Sequence, residues 1–157
     1  MSRNTLFFSL ATICLATLMF GCTNNGAVLD DSVALPNKVW AYNNRAGFDV
    51  KISDVAVDYQ LSLNLRVTGN YKYSNIFMLI TDPVKKGRVT RWEFKLAQPD
   101  GRWLGKGSGN LYSFQIPFYK NYRFPSAGTY HFQIEQNMRD NPLHEVSDVG
   151  LRVAKSL

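Results

Sequence analysis

A strict two-residue alternation of apolar and polar side chains sets the frame for this chain. It is clearest across residues 59–67, where Tyr59, Leu61, Leu63, Leu65 and Val67 interleave with Gln60, Ser62, Asn64 and Arg66. Successive side chains of an extended strand point to opposite faces, so this spacing lets a strand bury one face and wet the other. Coiled as a helix, the same residues would scatter their leucines around the axis. Phe48, Val50 and Ile52 repeat the pattern, as do Trp92, Phe94 and Leu96, then Tyr112, Phe114 and Ile116, then Tyr130, Phe132 and Ile134. Residues 76–80 are apolar throughout, which predicts a central strand covered on both faces.

Turn chemistry separates these runs: Gly69-Asn70, Lys86-Gly87, Pro99-Asp100-Gly101, Ser126 to Gly128 and Asn141-Pro142. No ten-residue stretch past residue 22 carries a helical period. Short strands without intervening helices predict an all-β fold, a single antiparallel β-sandwich of jelly-roll-like type, with a closed barrel as the alternative. A chain of 157 residues argues for one domain, and 45% hydrophobic against 19% charged residues is a globular balance. The 13% of aromatic residues favours sheets further.

The amino terminus reads differently. A short basic opening containing Arg3 precedes an apolar run from Leu6 to Phe20, too short as a helix for the ~30 Å hydrocarbon core. This describes an export signal. It ends in Met19-Phe20-Gly21-Cys22, which resembles a bacterial lipobox in which the cysteine is acylated. The expected organisation is therefore a lipoprotein signal peptide over 1–21, an acylated Cys22 with a tether over 22–37, and a β-sandwich domain over 38–157. Two or more acyl chains suffice for stable anchoring. Thr23 stands where an aspartate would suggest inner-membrane retention, so the expected site is the outer membrane, with the domain facing the periplasm.

A search for reaction chemistry finds little. Cys14 and Cys22 both precede the domain, which rules out a disulfide staple and a multi-cysteine metal site within it. His131 falls on the polar side of its strand and His144 in a turn, and neither has an evident metal-binding companion. Gly101-Arg-Trp-Leu-Gly-Lys-Gly-Ser-Gly109 places three residues, not four, before Gly-Lys, and no helix follows to receive a phosphate. No catalytic residue, no metal ligand and no cofactor is expected. A net charge of +6 is concentrated in part at Lys85, Lys86, Arg88 and Arg91, the pattern of a sheet edge kept from pairing. Nucleic acid is not an expected partner of an exported lipoprotein; anionic lipid headgroups are a second use of these charges. The candidate interaction surface comprises Arg102, Trp103, Lys106, Tyr119, Tyr122 and Arg139, while Glu135 and Arg139 suggest local pairing at a strand end.

The second half also carries a resemblance. Tyr73-Ser-Asn-Ile-Phe77, Pro99-Asp-Gly-Arg-Trp-Leu-Gly-Lys-Gly107, Arg123-Phe-Pro125, Gly128-Thr-Tyr130 and Ile134-Glu-Gln136 form one part of it. Met138-Arg-Asp-Asn-Pro-Leu143 and Asp148-Val-Gly-Leu-Arg152 complete it. Together they resemble the gliding-motility lipoprotein GldH family of Bacteroidota over roughly residues 30 to 154. The resemblance implies an anchored envelope protein without known enzymatic activity, linked to the gliding machinery and type IX secretion. The expected function is protein–protein docking, with a carbohydrate-binding sandwich module as the alternative and a glycan as its partner.

Overall fold

The structure, a computed structural model, describes residues 26–156. The expected signal peptide and Cys22 lie outside the described residues. Eleven strands are present among these: β1 (Ala27–Ala34), β2 (Val39–Trp40), β3 (Ala46–Ile52), β4 (Tyr59–Thr68), β5 (Asn75–Asp82), β6 (Arg88–Lys95), β7 (Lys106–Ser108), β8 (Leu111–Tyr122), β9 (Gly128–Gln136), β10 (Leu143–His144) and β11 (Val146–Lys155). A single 3-10 turn, Pro36–Lys38, is the only helical element among the described residues. A five-stranded sheet runs β1-β11-β4-β8-β7 and a four-stranded sheet runs β3-β9-β5-β6, with β10 and β2 pairing separately. All pairings are antiparallel. The fold is an all-β sandwich.

The alternating residues do what their spacing requires. In β4, Tyr59, Leu61, Leu63, Leu65 and Val67 are buried, and in β3 so are Ala46, Phe48, Val50 and Ile52. Facing them in one continuous core are Ile76, Met78 and Ile80 of β5, Phe132 and Ile134 of β9, and Val149, Leu151 and Val153 of β11. Burying each such side chain contributes about 1.5–3 kcal/mol, so the interlayer contact dominates stability. On one side β1 and β3 close the sandwich edge to edge. On the other, aromatic rings bridge the layers: Trp92 of β6 meets Phe118 and Tyr119 of β8 at centroid distances of 5.6 and 5.4 Å.

Three expectations change. Residues 27–34, expected within the tether, form β1 and pair with β11 from Asp31 opposite Leu151 to Ala34 opposite Asp148. Val28, Leu29 and Val33 pack against the core, which gives this weakly alternating segment its reason to be a strand. The ordered domain thus begins before residue 38. Secondly, β5 is central in its sheet, paired with β6 and β9, but only one of its faces is fully buried; Phe77 and Leu79 on the other are half-buried. Thirdly, Tyr122 does not belong to a surface. It is 5% exposed, its ring 4.9 Å from that of Phe124.

The basic hairpin between β5 and β6 is tied down by a buried carboxylate. Asp82 is 2% exposed, and its Oδ1 accepts from the backbone N–H groups of Val84 at 3.0 Å and Lys85 at 3.3 Å, and from the hydroxyl of Tyr122. Lys86 and Gly87 then turn the chain with φ of 56° and 72°, the left-handed region that glycine enters without steric cost. β6 emerges as the outer strand of its sheet, as its charge predicts.

Candidate functional site

Where β9 ends, the chain folds back over the start of β5. The Asn137 N–H donates to the Phe77 carbonyl at 2.8 Å, and the Phe77 N–H points to Met138 Sδ at 3.2 Å. Gln136, buried, holds this return from below: its Oε1 accepts from the Met138 N–H at 2.8 Å and its Nε2 donates to the Asp140 carbonyl at 3.2 Å. The result is a recess of about 600 Å³ on the outer face of the four-stranded sheet. Tyr73, Phe77, Arg91, Asn137, Arg139 and Asp140 form its walls.

Arg91 is positioned with unusual completeness for an exposed side chain. It stands opposite Leu79 in the β5–β6 register and leans diagonally across β5, so that its guanidinium carbon lies 3.7 Å from the Phe77 ring centroid. Its Nε donates to Asn137 Oδ1 at 2.7 Å. Among the described residues, neither Arg91 nor Arg139 has a carboxylate within ion-pair distance. The carboxylate in the recess wall, Asp140, is already engaged by the Tyr73 hydroxyl at 2.6 Å and by Lys72 Nζ at 3.4 Å. The Tyr73 hydrogen bond, and then Lys72, hold its carboxyl below the ordinary aspartate range. A second carboxylate nearby, Glu93, accepts from Asn75 Nδ2 at 2.6 Å.

Of the surface residues expected from the sequence, Arg139 alone is in this recess. Arg102 and Lys106 are exposed near β7, and Lys106 borders a second groove of about 720 Å³ with Arg66, Lys95 and Leu104. Trp103 is half-buried, its ring centroid 5.3 Å from that of Tyr112 and 6.5 Å from that of Tyr71, so its side chain packs inward from the glycine-rich connection. Tyr119 is likewise half-buried, and Lys85 caps it, its Nζ 2.7 Å from the hydroxyl and 4.5 Å from the ring centroid. The six residues therefore do not form one patch. Glu135 pairs with Arg45 at 3.1 Å and not with Arg139, because β9 presents Glu135 on the open face of the sheet while Arg139 lies beyond the strand end. His131 Nδ1 is 2.7 Å from Asp49 Oδ1 across the β3–β9 pair, and His144 is exposed on β10. Among the described residues no group of three His, Cys, Asp or Glu side chains could hold a metal ion, and no helix is long and apolar enough to cross a membrane.

Sequence reasoning missed Tyr73, Phe77 and Asn137, and placed Arg91 only in the basic cluster of a sheet edge. Phe77 and Met138 are 61 positions apart, and only the β5–β9 pairing brings them together. The available signal was the pair of segments Tyr73 to Phe77 and Met138 to Leu143, both of which carry the family resemblance and both of which end in this recess.

Comparison with known proteins gives the same family. The model of the GldH lipoprotein family matches residues 27–153. The chain is 27% identical to a gliding motility lipoprotein GldH homolog of Christiangramia forsetii, over 95% of this chain and 96% of that protein. It is 26% identical to the gliding motility lipoprotein GldH of Flavobacterium johnsoniae, over 88% of this chain and 90% of that protein. The matched residues span the sandwich from β1 into β11 and include both segments of the recess, so the chain belongs to the GldH lipoprotein family of the cell envelope.

Proposed function

We propose that this protein is a non-catalytic docking component of the envelope. In this reading, acylated Cys22 anchors it in the outer membrane, the sandwich faces the periplasm, and its partners are proteins of the gliding or type IX secretion machinery. The observation that carries the reading is the recess itself. Two segments that resemble the family, distant in sequence, meet there beside two guanidinium groups that have no carboxylate partner among the described residues. Groups held in place yet unpaired suit recognition of another molecule. The half-buried rings of Trp103 and Tyr119 and the burial of Tyr122 weaken the three-ring sugar platform expected from the sequence, which supports docking over the carbohydrate alternative.

Affinity capture of the full-length acylated protein from its own membranes, after mild cross-linking and read by mass spectrometry, tests this. Specific recovery of gliding or secretion proteins is the expected result. Recovery of envelope polysaccharide with no protein partner would reverse the choice in favour of the glycan-binding module.

A further inference from the structure

We infer that the recess formed by Phe77, Arg91 and Arg139 receives the carboxylate of an acidic side chain presented by a protein partner; this rests on the docking reading above. An arginine on a protein surface ordinarily samples many rotamers, and ordering it opposes binding. Arg91 has that ordering already. Its plane is seated on Phe77 and its Nε is committed to Asn137, which leaves the Nη groups of a fixed fork for a ligand. A planar fork matches a carboxylate through two parallel hydrogen bonds. Arg139, exposed on the opposite wall, adds a second cation with no carboxylate of its own among the described residues.

Charge counting selects the class of anion. Around the recess stand Arg91, Arg139 and Lys72 against Asp140 and Glu93, a surplus of one positive charge. A single carboxylate balances that surplus. A phosphate dianion would overshoot it and sit against Asp140, whose ionised form is favoured. The walls also contain Phe77, Tyr73 and Met138, which suits the methylene stem of an aspartate or glutamate better than a flat headgroup layer. The wider surface assists: residues 85–106 hold seven Lys or Arg against Glu93 and Asp100, a field that draws an acidic segment toward β6.

The test uses the full-length acylated protein in its own cells, with a benzophenone side chain introduced in place of Asn75, which lines the recess beside Phe77. Irradiation is expected to produce a protein adduct whose cross-linked peptide contains Asp or Glu close to the attachment point. In the Arg91→Gln background that adduct should fall by about tenfold, and Arg91→Lys should recover only part of it because the fork is lost. Equal melting temperatures of the purified variants confirm that folding is not the cause. An adduct undiminished in Arg91→Gln, an adduct with lipid or polysaccharide only, or no protein adduct at this position overturns the inference. Docking itself then still stands or falls on affinity capture with the unmodified protein, so the two failures are distinct.

Discussion

Asp82 and Tyr122 illustrate how a single contact organises this molecule. The carboxylate is buried, gathers two backbone N–H groups of the β5–β6 turn and takes the Tyr122 hydroxyl, while Lys85 Nζ stands 3.7 Å from its second oxygen. Tyr122→Phe removes one donor from a buried acceptor without opening a cavity. It should cost about 1–3 kcal/mol in urea unfolding with little change in slope. The same contact fixes the alkaline behaviour. Burial first, and then the Asp82 hydrogen bond, raise the Tyr122 hydroxyl well above its ordinary 10.0, and burial does the same to Tyr71. The folded state then retains protons that the unfolded state releases, so stability is fully present below pH 10 and falls as pH rises beyond it. Melting temperatures measured from pH 8 to 11.5 should be flat at first and then decline, and the decline should weaken in Tyr122→Phe. At this scale the sequence was a partial guide. Phe124 reads as a core residue and is one, at 3% exposure, but nothing local distinguishes Tyr119 from Tyr122, because their burial depends on which partners the other sheet supplies.

Strands were legible in proportion to their alternation. β3, β4, β6, β8 and β9 carry a period of two and fold accordingly, with their apolar face toward the core, although the polar face of central β4 is itself largely covered, Ser62 and Thr68 being buried. β1 escaped because it contains Asp30-Asp31-Ser32 at its centre, where its side chains face solvent or Arg152 and Asn64 of neighbouring strands. Its stability comes from β11 and not from its own pattern. Removing residues 27–34 should therefore cost roughly 3 kcal/mol or more, given the apolar area of Val28, Leu29 and Val33, and expose the β11 edge to association. Thermal unfolding and light scattering of that variant check both parts. A lower melting temperature with concentration-dependent scattering is expected. The glycine-rich connection has a tighter demand. A Cβ on Gly105 would lie 2.7 Å from Phe114 Cζ and 2.8 Å from the Ser113 carbonyl oxygen, where strand β7 approaches β8. Gly105→Ala should destabilise by about 1–3 kcal/mol, whereas Gly87→Ala meets no atom within 4 Å and is strained only through its φ. Chemical denaturation of the two variants separates overpacking from backbone strain.

For the molecule as a whole, the recess is a product of topology. Tyr73 precedes β5, Phe77 lies near its start, Arg91 comes from β6, and Asn137 to Asp140 follow β9, so no window of sequence contains the site. The expected anchor, by contrast, is read from one short stretch ending at Cys22, which lies outside the described residues. What ties these together is the claim that the protein works by being held in a membrane while holding something else. Native electrophoresis of gently solubilised membranes tests that claim most directly. The protein should migrate in an assembly far larger than a single chain, and the assembly should resist enzymatic removal of peptidoglycan and polysaccharide. Migration as a lone chain, or collapse of the large species on glycan removal, would contradict a docking role among proteins.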